Sequence, residues 1–343
     1  MSFSPTLEST AQALVASGKG ILAADESFPT IGKRFAALTI PSTEENRRAY
    51  RELLFTTPGL GECISGAILF EETMHQKTGG GASMPETLAR QGIIPGIKVD
   101  GGTMALPGFA GEKITQGLDG LRDRLAAYRE VGARFTKWRA VIAIGERLPT
   151  AACIKANAHA LALFAALSQE AGLVPIVEPE VLMDGNHTLA RCEEVTDVTL
   201  KTVFAALFDQ RVVLEAMLLK TGMVLSGKDC PQQADAGKVA EATLRCLRRA
   251  VPAAVPGIVF LSGGQSDVAA TERLNAICRG GGVPWKLSFS FGRALQDAAM
   301  KTWKGLPANV AAAQAALRHR AKCNGLAVQE EYSEQAERED TAR

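Results

Sequence analysis

The sequence predicts an α/β fold, a single-domain (β/α)8 barrel, from three observations. Short apolar runs that end in polar residues alternate eight times with longer segments of helical periodicity. No glycine-rich GxGxxG motif follows the first predicted strand, as it would in an open dinucleotide-binding sheet. No internal repeat or interdomain linker divides the 343 residues, a length that suits one large barrel.

Each predicted strand is a short apolar run bounded by turn residues or by the start of a helical pattern. In chain order the strands are Ile21–Asp25, Cys63–Phe70, Gly96–Asp100, Arg134–Ile142, Val174–Glu180, Val212–Lys220, Gly257–Gly263 and Lys286–Phe291.

The intervening helices are predicted from amphipathic segments with recognisable ends. Ser42-Thr43-Glu44-Glu45 predicts a capping box at the start of one helix. Thr115–Val131 and Thr150–Ala171 each end at a glycine, and Gln232–Ala250 is followed closely by a proline.

Two segments lie outside the eight strand–helix units. Residues 4–17 predict an extra N-terminal helix, with Ser4 as its cap and Pro5 in its first turn. The charged segment 329–343 lacks an apolar stripe and predicts a mobile C-terminal tail, so the barrel domain is expected to span residues 1–328.

Composition excludes several classes of function. The net charge of +1 gives no bulk field for nucleic acid or an anionic membrane. The N-terminus lacks a signal-peptide pattern and no apolar run approaches the roughly 20 residues of a membrane span, so we expect a cytoplasmic protein. The seven cysteines and four histidines show no metal-ligand spacing, which predicts neither a metal nor another cofactor.

Charged side chains occupy or follow the ends of five predicted strands, where barrel active sites are built. Barrel strands are normally continuous apolar runs, so each charge needs an explanation. One such charge could lie beyond a misplaced strand end, but a set that converges on one barrel mouth predicts a polar pocket. The set is Asp25, Lys98, Lys137, Arg139, Glu178, Glu180 and Lys220.

The composition of this pocket indicates Schiff-base chemistry. A lysine at the end of an apolar strand is partly desolvated, and nearby cations also disfavour its ammonium form. Lys220 best fits the neutral amine that attacks a carbonyl, because the cations Lys137 and Arg139 are expected nearby in the same pocket. Glu178 or Glu180 could act as general acid and base, since residues two apart face the same side of a strand. Asp25 could take a hydroxyl proton during carbon–carbon cleavage.

Phosphate binding is predicted after the last two strands, the recurrent phosphate site of this fold. The segment LSGGQS (261–266) follows strand seven, and SFSFGR (288–293) spans the end of strand eight. Glycines allow backbone N–H groups to approach an anion, and Arg293 can bind a phosphate through two parallel hydrogen bonds.

At these residues the sequence resembles the class I fructose-bisphosphate aldolases. The matching segments run in the expected order from about residue 4 to residue 325. They are GKGILAADES (18–27), TEENRR (43–48), GIKVD (96–100), TQGLDGL (115–121), KWR (137–139), VPIVEPE (174–180), FLSGGQS (260–266) and GRAL (292–295).

The resemblance implies a TIM barrel that reversibly cleaves fructose 1,6-bisphosphate to dihydroxyacetone phosphate and glyceraldehyde 3-phosphate without a metal. It also implies a homotetramer. By the same resemblance Lys220 is the Schiff-base lysine, Glu178 the main acid and base, Asp25 the carboxylate near the C3–C4 bond, and Lys137 its cationic neighbour. The implied substrate-binding residues are Ser262, Gly263, Gly264, Ser290, Gly292, Arg293 and Arg34 around the ketose-side phosphate, Lys98, Ser27 and Thr30 at the other phosphate, and Arg139.

Three departures from the family pattern qualify these expectations. The segment Phe28-Pro29 replaces the usual Thr-Gly and should stiffen and crowd the loop at the second phosphate. Thr221-Gly222 follows the lysine where the family has Pro-Asn, which should loosen the next loop. The tyrosine that ends animal members is missing, with Tyr332 the nearest, so proton exchange on the enamine should be slower or use another group.

Two other functions remain open at this stage. The altered 28–30 loop could favour a different phosphorylated ketose, on the same Schiff-base chemistry. A catalytically dead barrel kept as a binding or scaffold protein would have been marked by loss of Lys220 or Glu178, and both are present.

Overall fold

The computed structural model of the protein describes residues 5–338, with side chains from residue 7 onward. The described strands are β1 (Gly20–Ala24), β2 (Ile64–Leu69), β3 (Ile94–Lys98), β4 (Thr103–Ala105), β5 (Lys113–Thr115), β6 (Phe135–Ile142), β7 (Val174–Val181), β8 (Leu218–Thr221), β9 (Gly257–Phe260) and β10 (Lys286–Phe291). Eight of them form a closed parallel barrel in the order β1-β10-β9-β8-β7-β6-β3-β2. The predicted (β/α)8 barrel is therefore confirmed.

Helices surround the barrel and extend it at both termini. They are α1 (Pro5–Leu14), α2 (Phe28–Ala36), α3 (Glu44–Phe55), α4 (Glu71–His75), α5 (Met84–Ala89), α6 (Leu121–Glu130), α7 (Ala151–Glu170), α8 (Leu189–Asp209), α9 (Ala236–Ala250), α10 (Asp267–Arg279), α11 (Arg293–Trp303), α12 (Val310–Val328) and α13 (Glu334–Arg338). Short 3-10 helices occur at Leu60–Glu62, Leu214–Ala216 and Pro307–Asn309.

The extra N-terminal helix closes one end of the barrel. Leu7, Ala11 and Leu14 of α1 are buried in one apolar cluster with inward-facing strand residues such as Ile21 and Phe135. The backbone carbonyl of Leu14 also accepts a hydrogen bond from the Ser65 hydroxyl at the start of β2. Because α1 covers the N-terminal ends of the strands, the open mouth lies at their C-terminal ends. The predicted cap, Ser4, lies outside the described residues.

Several predicted boundaries are wrong, each for a local reason. The sixth strand begins at Leu218 rather than Val212, because Leu214–Ala216 turns into a 3-10 helix that packs against α1. The helix predicted from Thr115 begins at Leu121, because Thr115 belongs to a hairpin of β4 and β5 that the sequence analysis missed. The helix predicted from Gln232 begins at Ala236, after Asp235 caps it.

The predicted capping box on α3 is only half formed. Its cap is Thr43, whose hydroxyl accepts a hydrogen bond from the backbone N–H of Asn46 at 3.2 Å. A capping box needs a glutamate or glutamine three residues after the cap, and Asn46 occupies that position here. The Asn46 side chain instead donates to the carbonyl of Pro41 at 2.8 Å.

Residues 329–338 of the segment predicted to be a mobile tail make side-chain and backbone contacts with the helices beside them. Tyr332 is buried, and its hydroxyl donates to Glu337 at 2.8 Å. Glu337 also pairs with Arg320 of α12, and Arg279 donates to the carbonyl of Glu330. These contacts dock α13 onto α12 and hold the turn before it against α10. Residues 339–343 lie outside the described part of the chain.

Helix α7 is the one described helix that is long and apolar enough, by length and composition, to cross a membrane. In the barrel it packs against β6, β7 and α8, and Leu161, Phe164 and Ala165 are buried in the core. Its apolar character is therefore accounted for by its position as a core helix.

Candidate active site

Strand register brings the predicted charged residues together at the barrel mouth. Lys98 pairs with Lys137 across β3 and β6, and Arg139 pairs with Glu178 across β6 and β7. Ile176 pairs with Leu218, so continuing the same register sets Glu178 beside Lys220. Asp25 follows the last residue of β1 on the other side of the barrel.

A continuous chain of ion pairs runs through the centre of the barrel mouth. The Lys220 amine lies 3.1 Å from one carboxylate oxygen of Glu178. The Lys137 amine lies 3.2 Å from the other oxygen of Glu178 and 2.7 Å from Asp25. The side chains of Lys137, Glu178 and Lys220 are each only 4% exposed. The cluster is therefore a buried set of two cations and two anions, with Glu178 bridging both lysines.

This arrangement fixes the charge states of Asp25 and Lys137. Burial alone would raise the pKa of Asp25, but attraction to Lys137 and then Lys220 lowers the pKa from 3.8 to about 2. Burial would lower the pKa of Lys137, but Asp25 and then Glu178 raise the pKa above its usual value. Because the pKa of folded Asp25 is depressed, its ionisation stabilises the fold above about pH 4, a contribution lost as pH falls toward about 2.

The outer layer of the mouth separates Glu180 from Glu178. Glu180 forms an ion pair with Arg139. Burial alone would lower the pKa of Arg139, but attraction to Glu180 raises that pKa above its usual value. Residues two apart along a strand differ in height by roughly 6–7 Å, so Glu180 lies nearer the rim than the lysine pair. Geometry therefore puts Glu178, not Glu180, in contact with both amines.

Lys98 is held by a residue that the sequence analysis did not single out. Its amine lies 2.7 Å from the Asp100 carboxylate and donates to the Asp100 carbonyl at 2.8 Å. The Asp100 carboxylate also accepts from the backbone N–H groups of Gly102 and Arg139. The segment GIKVD contains both partners, so a carboxylate two residues after the lysine was the available signal.

The predicted phosphate loop is assembled after β9 and β10. Gly263 and Gly264 adopt positive φ angles of 54° and 93°, which glycine reaches without strain. The Arg293 guanidinium lies against Gly264, within 3.2 Å of where a Cβ would stand. Ser290 is buried, and its hydroxyl has no hydrogen-bond partner among the residues described. The loop thus brings together backbone N–H groups, a hydroxyl and an arginine.

The second predicted phosphate contact lies at the start of α2. The hydroxyls of Ser27 and Thr30 are 3.2 Å apart and exposed. Phe28 is 49% exposed and packs edge-to-face on Phe70, with ring centroids 5.1 Å apart. The Arg47 guanidinium lies 4.7 Å from the centre of the Phe28 ring. Phe28 therefore anchors this turn to the neighbouring units through Phe70 and Arg47.

Arg34 is engaged by carboxylates in the described structure. One nitrogen pairs with Glu26 and another lies 2.8 Å from Asp297 of α11. Glu26 also lies 2.7 Å from the buried Arg51. Burial alone would raise the pKa of the Glu26 carboxyl, but attraction to Arg51 and then Arg34 lowers it. This network could not be predicted from sequence spacing, because its members come from the turn after β1 and from α2, α3 and α11.

The loop after Lys220 is tied down at two points. Thr221, which replaces the family's proline, is buried at the end of β8, and its carbonyl accepts from the N–H of Leu261. The N–H of Val224 donates to the Thr243 hydroxyl at 3.0 Å. The hydrogen bond from Leu261 uses only the backbone carbonyl of residue 221. Threonine in place of the family's proline therefore leaves this end of β8 intact.

One histidine lies in a cluster that its sequence spacing does not reveal. Donor atoms of His319, Cys323 and Glu337 lie within 4.8 Å of one another, a separation compatible with a metal ion. Each of the three is already hydrogen-bonded: the His319 ring to the carbonyl of Glu337, the Glu337 carboxylate to Arg320 and Tyr332, and Cys323 to the carbonyl of Ala336. These bonds fasten α13 to α12.

The hydrogen bond described for Tyr332 is with Glu337 and not with the lysine pair. Three residues earlier, the side chain of Gln329 lies 3.0 Å from where a Cβ of Gly18 would stand, just before β1 and thus at the end of the barrel opposite the mouth. The hydroxyl of Tyr332 is taken by Glu337, and burial raises the pKa of this phenol above its usual value.

Comparisons with known proteins agree with the geometry of the mouth. The sequence profile of fructose-bisphosphate aldolase class-I matches residues 6–343. The chain is 59% identical over 322 residues to a probable fructose-bisphosphate aldolase class 1 of Xanthomonas campestris, covering 94% of this chain and 96% of the relative. It is 53% identical over 334 residues to the fructose-bisphosphate aldolase of Dictyostelium discoideum, covering 96% and 94%.

A solved structure is also similar along most of the chain. It is the fructose-bisphosphate aldolase of Plasmodium falciparum, crystallised with TRAP and a small-molecule inhibitor. The TM-score is 0.94 at 50% sequence identity, covering 96% of this chain and 95% of the other.

Proposed function

The chain belongs to the class I fructose-bisphosphate aldolases, and on that premise we propose that Lys220 is the amine that forms the Schiff base. The reaction is the reversible aldol cleavage of fructose 1,6-bisphosphate, which makes the protein a carbon–carbon lyase of glycolysis. The observation that carries the assignment is the contact of Glu178 with Lys220 and Lys137, both within about 3.2 Å. No other described pair of buried lysines shares a carboxylate in this way.

The proposed sequence begins with transfer of a proton from the Lys220 ammonium to the Glu178 carboxylate, after which the neutral Lys220 amine attacks the ketone carbon. Glu178, 3.1 Å from the amine, protonates the carbinolamine oxygen, which leaves as water and gives a protonated imine. The imine withdraws electrons as the bond between C3 and C4 breaks. Asp25 takes the proton of the C4 hydroxyl, so the aldehyde product departs and an enamine remains on Lys220. Lys137 holds Asp25 and Glu178 in place.

Chemical trapping tests this assignment directly. Borohydride reduces an imine to a stable amine, so incubation with dihydroxyacetone phosphate and borohydride should leave one adduct, on the peptide that contains Lys220. Peptide mass mapping would locate it, and cleavage activity should persist in EDTA. An adduct on Lys137 alone, or no adduct in an active preparation, would contradict the proposal.

A second candidate is preference for another phosphorylated ketose, favoured by the Phe28-Pro29 turn beside Ser27 and Thr30. We expect fructose 1,6-bisphosphate to be cleaved with a higher kcat/KM than fructose 1-phosphate, because Ser27, Thr30 and Lys98 offer polar groups to the second phosphate. The steady-state rates on the two sugars decide between them. Equal values, or a preference for the monophosphate, would favour the second candidate.

We also infer a cytoplasmic homotetramer, on family resemblance. An observation on α8 supports association: Phe208 is 82% exposed and Val198 is 46% exposed. A large exposed aromatic side chain on a helix is a common feature of subunit interfaces.

A further inference from the structure

A second cation lies beside the proposed phosphate loop. A Cβ at Gly264 would stand 3.2 Å from Arg293 Nη2 and 3.6 Å from Lys228 Nζ. The two cationic groups therefore flank the same point of the loop after β9. Lys228 lies in a different loop, after β8, and the sequence analysis did not single it out.

The backbone of Lys228 is fixed by the adjacent loop after β7. Its N–H donates to the Met183 carbonyl at 2.8 Å, and the N–H of Asp229 donates to Gly185 at 2.9 Å. Gly227 approaches so closely that a Cβ there would stand 2.3 Å from the Gly185 carbonyl oxygen. Hydrogen bonds thus hold the backbone of Lys228 in place, although its side chain is 44% exposed.

The resting partner of Lys228 is easily exchanged. Its amine lies 2.6 Å from Asp184, whose side chain is 65% exposed. Ion pairs between exposed side chains contribute little stability, because water and salt screen them. A phosphate dianion carries more charge than the carboxylate. The buried hydroxyl of Ser290, on the strand that leads to Arg293, has no hydrogen-bond partner among the described residues.

We propose that Lys228 is a second cationic ligand of the ketose-side phosphate, with Asp184 as the counterion that it leaves when the phosphate binds. This inference rests on the proposed function, because it takes the loop after β9 as the phosphate site. Lys228 touches the phosphate and not the reacting carbons. Its contact is therefore equal in the ground and transition states, and its loss should change KM rather than kcat.

The test compares Lys228→Met with Asp184→Asn. Loss of a charged hydrogen bond at a partly exposed site predicts that Lys228→Met raises the KM for fructose 1,6-bisphosphate about 3- to 10-fold, with kcat within about twofold. Asp184→Asn frees the lysine and should leave KM unchanged or lower it. If the pair merely clamps two loops, both variants would raise KM alike, and that result would overturn the proposal.

Two controls accompany this test: a variant at another exposed lysine–aspartate pair, and a ligand without a phosphate group. Lys201→Met removes a lysine that lies 2.6 Å from Asp197 on α8, and it should leave KM unchanged. Lys228→Met should raise the concentration of dihydroxyacetone phosphate needed for half-maximal trapping, but not that of dihydroxyacetone. Equal shifts for both ligands, or none, would overturn the inference. Failure of the unmodified protein to trap either ligand at Lys220 would instead overturn the proposed function.

Discussion

Replacement of Lys220 by methionine should lower the kcat for fructose 1,6-bisphosphate cleavage by about 10⁴-fold or more, since the nucleophile has no substitute. Methionine has a similar length and fills the buried site. The other amine of the cluster, Lys137, is already paired with Asp25 and Glu178. The measurement is a coupled assay of triose phosphate release, together with trapping by borohydride.

The fold should survive this change, which keeps the experiment interpretable. Removing Lys220 leaves Glu178 paired with Lys137, so no buried carboxylate is left without a cation. Circular dichroism should therefore show a folded protein. Lys201→Met is the matched control, because Lys201 is exposed on α8 and pairs only with Asp197 of the same helix among the described ion pairs. Turnover retained by Lys220→Met in the absence of contaminating enzyme would show that the nucleophile is another group.

The sequence was sufficient to predict the barrel and the charged mouth, because both depend on local patterns. Apolar runs of strand length predict the strands, and a charge inside such a run is conspicuous. Asp25, Lys137, Glu178 and Lys220 were all predicted in this way, and they lie in one chain of ion pairs.

Contacts between distant segments could not be predicted in the same way. The spacing of Glu178 and Glu180 places both on one face and cannot tell which contacts the lysines. That choice depends on height along the barrel, which the pairing of Ile176 with Leu218 sets. The position of Lys228 beside Gly264 likewise depends on two loops that follow different strands. The start of β8 was misplaced because the first part of the apolar run from Val212 is not strand: it packs against α1.

Asp25→Asn should separate imine formation from bond cleavage, and it should lower kcat for cleavage by about 10²–10⁴-fold, the usual contribution of a positioned general base. The pKa of about 2 keeps Asp25 ionised at neutral pH, so it is ready to accept the C4 hydroxyl proton. Glu178 and Lys220 keep their 3.1 Å contact in this variant, so trapping of dihydroxyacetone phosphate should continue. Lys137 retains Glu178 as a partner, so the fold should hold. Loss of trapping together with cleavage would mean that Asp25 acts earlier, in forming the imine, and that Lys137 depends on it for position.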